Sequence, residues 1–202
     1  MKDLRSKKTK TRTFKKKEFN SGDGMVTSIW GPSYWHILHT MSFNYPVNPT
    51  CEDIKNHRNM ILNLKNILPC KYCRINLVKN FKRLPLRYCD LKNRESFSRY
   101  VYDLHDLVNN MLNKKTGLTY EDVRERYENF RSRCTNDEIS KKIFKLNKTA
   151  KTAKRRKEKG CTEPLVGKKA KCVLKIIPQE TKCNTFQVDQ KCIKKRFTSQ
   201  TD

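Results

Sequence analysis

The chain has 202 residues, nine cysteines and a formal charge of +26, enough for one domain of about 100 to 130 residues with appendages, or two small ones, around one modest core. No stretch approaches the ~20 apolar residues of a membrane-spanning helix, and the N-terminus lacks the apolar segment of a secretory signal, so a soluble, unsecreted protein is expected. In reducing surroundings, nine thiols raise catalytic, metal-binding or self-oxidised cysteines for consideration.

The charge sits mostly at the ends. Residues 1–24 carry +6 and residues 132–202 carry +13, against +7 for the longer middle stretch. Such flanks attract any polyanion, whether nucleic acid, acidic protein or anionic membrane surface. Residues 1–24 show no hydrophobic period and read as a disordered basic arm. They are Lys-rich rather than Arg/Ser-rich, which argues against a mitochondrial transit peptide.

Structure is expected from near Trp30. Tyr34, Ile37, Leu38 and Met41 fall on one helical face, with Pro32 suited to the first turn and Pro46 marking the end. Trp35 and His39 share an edge of that helix. A second helix spans 51–68 through Ile54, Ile61, Leu64 and Leu68, and Pro69 breaks it. A third opens at Cys70 and runs through Leu77, Val78 and Phe81 to Pro85, followed by a loop over 84–95. The strongest stripe is Phe97, Tyr100, Val101, Leu104, Val108, Met111 and Leu112, a fourth helix closing with Lys114, Lys115 and Gly117. Thr119 with Asp122 is a capping-box start for a short fifth helix carrying Val123, Tyr127 and Phe130. The fold class is therefore all-α, an antiparallel four-helix bundle with a short fifth helix. The basic run over 136–159 reads as a linker or exposed helix. Residues 160–202, with Cys161, Cys172, Cys183 and Cys192, form a small tail in need of staples.

The chemistry concentrates at Leu68-Pro69-Cys70-Lys71-Tyr72-Cys73. Two cysteines separated by two residues at a helix start can close a disulfide within one turn, and the open amides there, with Lys71 and Arg74, favour a reactive thiolate. Half of a zinc site is the blander reading. It would need a second ligand pair, and only Cys89 and His57 are on offer, so no metal is assigned. A thioredoxin-like fold fits poorly because helices flank the motif on both sides. Taken singly, Trp35, His39, His105 and Asn109 are ordinary core residues; their joint arrangement on two helical edges facing a dithiol is what suggests redox chemistry.

Three segments together resemble a known family: Trp30-Gly31-Pro32-Ser33-Tyr34-Trp35-His36-Ile37-Leu38-His39, then Pro69-Cys70-Lys71-Tyr72-Cys73, then His105-Asp106-Leu107-Val108-Asn109 through Lys114. Over residues 27–131 the chain resembles the Erv/ALR family of FAD-linked sulfhydryl oxidases. It looks most like the compact branch of large DNA viruses, in which a tail resembling Gly160-Cys161-Thr162-Glu163-Pro164-Leu165 follows the oxidase domain. The resemblance implies a FAD-binding domain over 25–135, usually homodimeric, with FAD held noncovalently at the bundle mouth. By this resemblance the flavin contacts fall on Trp30, Gly31, Trp35, His39, Tyr102, His105, Val108, Asn109, Leu112, Lys114, Arg126 and Tyr127. It also implies that a substrate thiolate attacks Cys70, that Cys73 is the flavin-proximal sulfur, and that O2 is reduced to hydrogen peroxide. The chain departs from the family at Asp106, where asparagine is common, and at Tyr127, where tryptophan is common. It departs again at Tyr102, which replaces a structural cysteine and deprives Cys89 of its expected partner.

The implied partners are protein dithiols or a thioredoxin-like carrier, O2 and a second copy of the chain, in a host cytoplasm or virion. The four tail cysteines read either as a mobile electron relay or, preferably, as two structural disulfides. The competing class is a basic nucleic-acid-binding or virion structural protein without flavin. It is weakened because aromatic residues do not interleave the basic runs.

Overall fold

The computed structural model describes residues 15–133 together with 161, 163–165, 177 and 181. Six helices follow in order: α1 Lys16–Phe19, α2 Thr27–Asn44, α3 Cys51–Ile67, α4 Lys71–Arg83, α5 Arg94–Met111 and α6 Tyr120–Glu128, with a 3-10 turn at Tyr88–Leu91. Helix α5 is the centre of the bundle, packing on α2, α4, α6 and the 3-10 turn, while α3 pairs with α4. Its apolar stripe explains that position, because Phe97, Tyr100, Val101 and Leu104 are all buried.

Two apolar clusters result. The larger gathers Leu38, Tyr45, Ile61, Leu64, Leu77, Leu86, Leu91 and the α5 stripe; the smaller gathers Phe43, Tyr120, Val123 and Tyr127 between α2 and α6. Buried polar ends find partners, as they must. Tyr45 donates to the Leu91 carbonyl at 2.9 Å and Tyr100 to that of Leu84 at 3.1 Å. Helices α3 and α6 begin with reciprocal capping boxes, Thr50 with Asp53 and Thr119 with Asp122, and Asn93 caps α5 through the Ser96 amide at 2.9 Å.

Several boundaries differ from the sequence reading. Helix α2 starts at Thr27, so Pro32 lies inside it rather than in its first turn, and the Ser28 carbonyl loses its usual donor. The extra turn is anchored from outside: Trp30 Nε1 donates to the Met25 carbonyl at 3.2 Å and the Met25 amide to that of Pro69 at 2.7 Å. Helix α5 ends at Met111, well before Gly117. Asn113 takes the left-handed conformation, φ 54°, while the Lys114 amide returns to the Asn109 carbonyl at 2.9 Å and the Asn113 amide to that of Asn110 at 3.1 Å, the paired bonds of a Schellman cap.

Nor is the basic arm without structure to residue 24. Residues 15–24 hold the short helix α1, and Gly24 forms an antiparallel bridge with Cys70; residues 1–14 lie outside the described residues. At the other end, Ser132–Arg133 pairs antiparallel with Glu163–Pro164, the Leu165 amide reaches the Arg131 carbonyl at 2.9 Å, and Arg131 Nη2 donates to the Phe43 carbonyl at 2.8 Å. Cys161 beside this strand is disulfide-bonded. The 136–159 linker and Cys172, Cys183 and Cys192 lie outside the described residues.

Candidate functional site

Pro69 stops α3, and the chain turns through Cys70 in an extended conformation before α4 begins. Cys70 is thereby the N-cap, its Sγ accepting the Cys73 amide at 3.1 Å. One turn on, Cys73 is joined to it in a disulfide, with 5.2 Å between the Cα atoms. A sulfur at this position meets the positive end of the α4 dipole, which stabilises the thiolate once the bond opens. Arg74 Nη1 donates to the Leu68 carbonyl at 2.5 Å and fixes the turn entering the motif. Both cysteines are half-buried and Tyr72 between them is exposed, so the bond lies at a surface that a substrate can reach.

Across the disulfide lies the segment leading into α2. Thr27 Oγ1 is 3.8 Å from Cys73 Sγ. Gly24, at φ +112°, sits against the backbone of Pro69 and Cys70, where a Cβ would come within 2.5 Å of the Pro69 oxygen and 2.7 Å of the Cys70 Cα. Sequence reasoning missed Gly24 and assigned it to the arm.

Helix α2 links the dithiol to a ring cluster. Trp35 follows Thr27 by about 12 Å and His39 by about 18 Å at 1.5 Å per residue. The Trp35 ring stacks on His105 at 4.0 Å with 8° between planes. His39 Nε2 and His105 Nδ1 are 2.9 Å apart, and Tyr127 closes the group, 5.2 Å from His39 and stacked on Phe43 at 5.4 Å. His36 Nδ1 is 3.1 Å from the Tyr127 hydroxyl. His36, Phe43 and Phe130 were not singled out from sequence as site residues. Only the meeting of α2 with α6 brings them in.

Burial dominates the electrostatics here. Desolvation, followed by repulsion from His105 and His36, pushes His39 from its ordinary 6.5 down to about 3. Desolvation likewise brings His105 to about 4, with Lys114 lowering it further and Asp106 opposing. Tyr127 is pushed up to about 12 by burial. Both histidines are therefore neutral near pH 7, sharing one hydrogen bond. His39 Nδ1 is buried and has no hydrogen-bond partner among the described residues.

Neutral burial of two imidazoles predicts a pH dependence of stability. An unfolded histidine takes up a proton near pH 6.5, whereas these two resist protonation until about 4 and 3. The unfolded state then binds more protons throughout that window, so stability falls as pH drops, by at most about 2 kcal/mol per imidazole at pH 5. Thermal unfolding between pH 7 and 5 should show the decline, and His39→Leu should flatten it.

The remaining sequence-chosen residues divide. Asn109 and Val108 continue the His105 face half-buried, Leu112 and Lys114 are exposed at the α5 terminus, and Arg126 is half-buried beside Tyr127 on α6. A Cβ on Gly31 would meet only Thr27 Cγ2, at 3.6 Å, so packing of the chain does not account for the missing side chain. Two residues go elsewhere. Trp30 packs edge-on against Tyr34 at 5.9 Å and bonds to Met25, and Tyr102 joins α5 to α6 by its 2.8 Å bond to the Leu118 carbonyl and its edge contact with Tyr120 at 5.8 Å. Cys89, with Tyr102 where a cysteine was expected, is free and exposed, as is Cys51.

A dithiol at one end of α2 and an apolar, ring-lined site with an orphaned nitrogen further along it is a recognisable combination, and comparison with known proteins decides it. The profile of the Erv1/Alr family matches residues 32–128. The chain is 34% identical over 104 residues to the probable FAD-linked sulfhydryl oxidase R368 of Acanthamoeba polyphaga mimivirus, covering 52% of this chain and 72% of that protein. It belongs to the Erv1/Alr family. A second relative, the FAD-linked sulfhydryl oxidase of African swine fever virus (isolate Warthog/Namibia/Wart80/1980), is 32% identical over 99 residues, 49% of this chain and 80% of its own length. The crystal structure of the yeast Erv1 core aligns with a TM-score of 0.47 and 23% identity, covering 60% of this chain and 96% of that one. The family match takes in Cys70, Cys73, His39, His105 and Tyr127, but Gly24, Thr27 and the Ser132–Arg133 strand lie outside it. Among the described residues no helix is long and apolar enough to cross a membrane.

Proposed function

We propose that this chain is a FAD-linked sulfhydryl oxidase that converts two protein thiols and O2 into a disulfide and hydrogen peroxide. The observation that carries the reading is the Cys70–Cys73 disulfide at the start of α4, facing the entry of the helix that bears His39.

The geometry supports the following exchange. A substrate thiolate attacks Cys70 Sγ, the bond to Cys73 breaks, and Cys73 leaves as a thiolate beside the Thr27 hydroxyl and the α4 N-terminus. A second substrate thiol, deprotonated, attacks the mixed disulfide and releases the oxidised substrate, leaving Cys70 reduced. Two electrons have then moved to the enzyme, and the two protons lost by the substrate thiols pass to solvent or to the released cysteine thiolates. FAD, when bound, supplies the acceptor that takes these electrons from the dithiol and hands them to O2. The residues present suit it: Trp35, His105 and Tyr127 offer ring faces, Gly31 admits a close approach, Val108 and Leu112 offer apolar contact, His39 Nδ1 and Asn109 offer polar contacts, and Lys114 and Arg126 offer cations for phosphate.

Protein dithiols or a thioredoxin-like carrier are the proposed reductants. A second copy of the chain is the proposed partner for the edge of α2 where Ile37 and Met41 are exposed at 52% and 36%. The viral relatives favour a host cytoplasm or virion as the place of action. Purified protein should be yellow, absorb near ~450 nm, and yield one hydrogen peroxide per O2 consumed with dithiothreitol as reductant. Colourless protein, or no uptake of O2, contradicts the reading.

A further inference from the structure

The segment ahead of α2 is bonded to the backbone of the redox pair. The Met25 amide donates to the Pro69 carbonyl at 2.7 Å and the Lys71 amide to that of Asp23 at 2.9 Å, with the Gly24–Cys70 bridge between them. Nothing larger than glycine fits at position 24. The chain immediately before it, helix α1 and its flanks, therefore emerges at the rim of the disulfide. That chain is basic: residues 1–24 carry +6, and Lys15, Lys16 and Lys17 are all exposed.

The nearby carboxylates are held locally. Glu18 Oε2 accepts the Lys15 amide at 3.0 Å and Asp23 Oδ2 accepts the Ser21 hydroxyl at 2.9 Å; both keep their charge, so residues 15–24 carry a net +1 and the other +5 of the segment comes from residues 1–14, tethered to it along the chain. Lys71, exposed between the two cysteines, adds to this charge. Along this segment Phe19, Met25 and Val26 are exposed at 84%, 70% and 67%, and Tyr72 between the cysteines at 72%.

We propose that this strap forms a basic, partly apolar collar that selects acidic, cysteine-bearing polypeptides for delivery to Cys70. The proposal rests on the oxidase reading for its biological sense, but not for its test. Charges of opposite sign steer encounter and raise the local concentration of substrate. The ammonium groups also offset the rise in thiol pKa that acidic neighbours impose, so the incoming cysteine reaches its thiolate form more readily. A nucleic-acid surface accounts less well for the placement. It gives no reason for anchoring the basic segment to the backbone of the dithiol.

The test uses the full chain and three reduced peptides with one Cys-x-x-Cys core, flanked by acidic, neutral or basic residues. The rate at which each reduces the Cys70–Cys73 disulfide is read anaerobically by acid quench and thiol alkylation, a readout that needs neither flavin nor O2. At low salt the acidic peptide should exceed the neutral one by about 10-fold, and the advantage should shrink to about 2-fold or less at roughly 0.5 M NaCl, where the screening length is only a few ångströms. The K15E/K16E/K17E variant should abolish or reverse the ranking and K15Q/K16Q/K17Q should weaken it, with dithiothreitol exchange unchanged in both. A ranking unmoved by salt or by charge reversal overturns the proposal. So does a charge-reversed variant that loses retention on a DNA column while keeping the acidic-peptide preference. Failure of O2 uptake with dithiothreitol sinks the oxidase reading alone.

Discussion

Replacing Cys70 or Cys73 with serine is expected to lower dithiol-dependent O2 uptake by at least about 10³-fold, because residues acting as one unit lose nearly everything when either is removed. Neither variant holds the Cys70–Cys73 bond, so the incoming thiolate has no electrophilic sulfur to attack at this site. Folding should be spared. Both cysteines are half-buried at a surface turn, and the N-cap role of Cys70, one bond from the Cys73 amide at 3.1 Å, suits a serine hydroxyl equally well. Cys51→Ser and Cys89→Ser should leave uptake unchanged, since both thiols are exposed and unpaired. Oxygen-electrode rates on the four variants check this. A Cys73→Ser protein that retained a tenth of the activity would place the working disulfide elsewhere.

The largest effect on stability is expected at Phe97. Its side chain is fully buried at the start of α5, 4.9 Å from the Tyr45 ring and edge-on to His57 at 5.7 Å. Truncation to alanine removes the ring from both neighbours and leaves a cavity into which the surrounding core relaxes only in part. A loss of about 3–5 kcal/mol follows, a large part of the roughly 5–15 kcal/mol that holds a domain together. In thermal unfolding this is a fall of about 8 °C or more. Phe19→Ala, at a side chain 84% exposed, should move the midpoint by little. The contrast separates packing from mere loss of an aromatic residue.

What was legible in the sequence was local. The apolar period of α5, the Thr119–Asp122 cap and the proline before Cys70 each announce themselves within a turn or two, so helix order and the place of the dithiol could be read directly. Gly24 could not. Its reason is a backbone bridge to Cys70, 46 residues further along, and no period or composition marks a glycine among polar residues as the partner of a distant turn. The same holds at the end of α5, where Gly117 looked the natural terminator, yet Asn113 tolerates the left-handed conformation and lies nearer the last apolar contact. Tyr102 was named on the family resemblance, and the bond its hydroxyl makes to the Leu118 carbonyl forms only once the chain turns back toward α6, which no local period announces. The histidine pair was legible as two residues on two edges; that both are neutral follows from burial alone, which sequence does not report.

The strap, the dithiol and the ring cluster are arranged along α2. Helix α2 carries Thr27 at the sulfur end and His39 at the other, and the strap keeps the sulfur end closed against α4. In the proposed mechanism the collar selects the thiols that arrive and Cys70 receives them, while Cys73 faces Thr27 of α2.

The most direct measurement is anaerobic addition of dithiothreitol to the purified protein while absorbance near ~450 nm is followed. The wild type should bleach and recover its colour when air is admitted, while Cys70→Ser and Cys73→Ser should stay yellow. Bleaching that proceeds equally in both variants, or a wild type with no absorbance there to lose, would contradict electron transfer from the Cys70–Cys73 pair to a bound flavin.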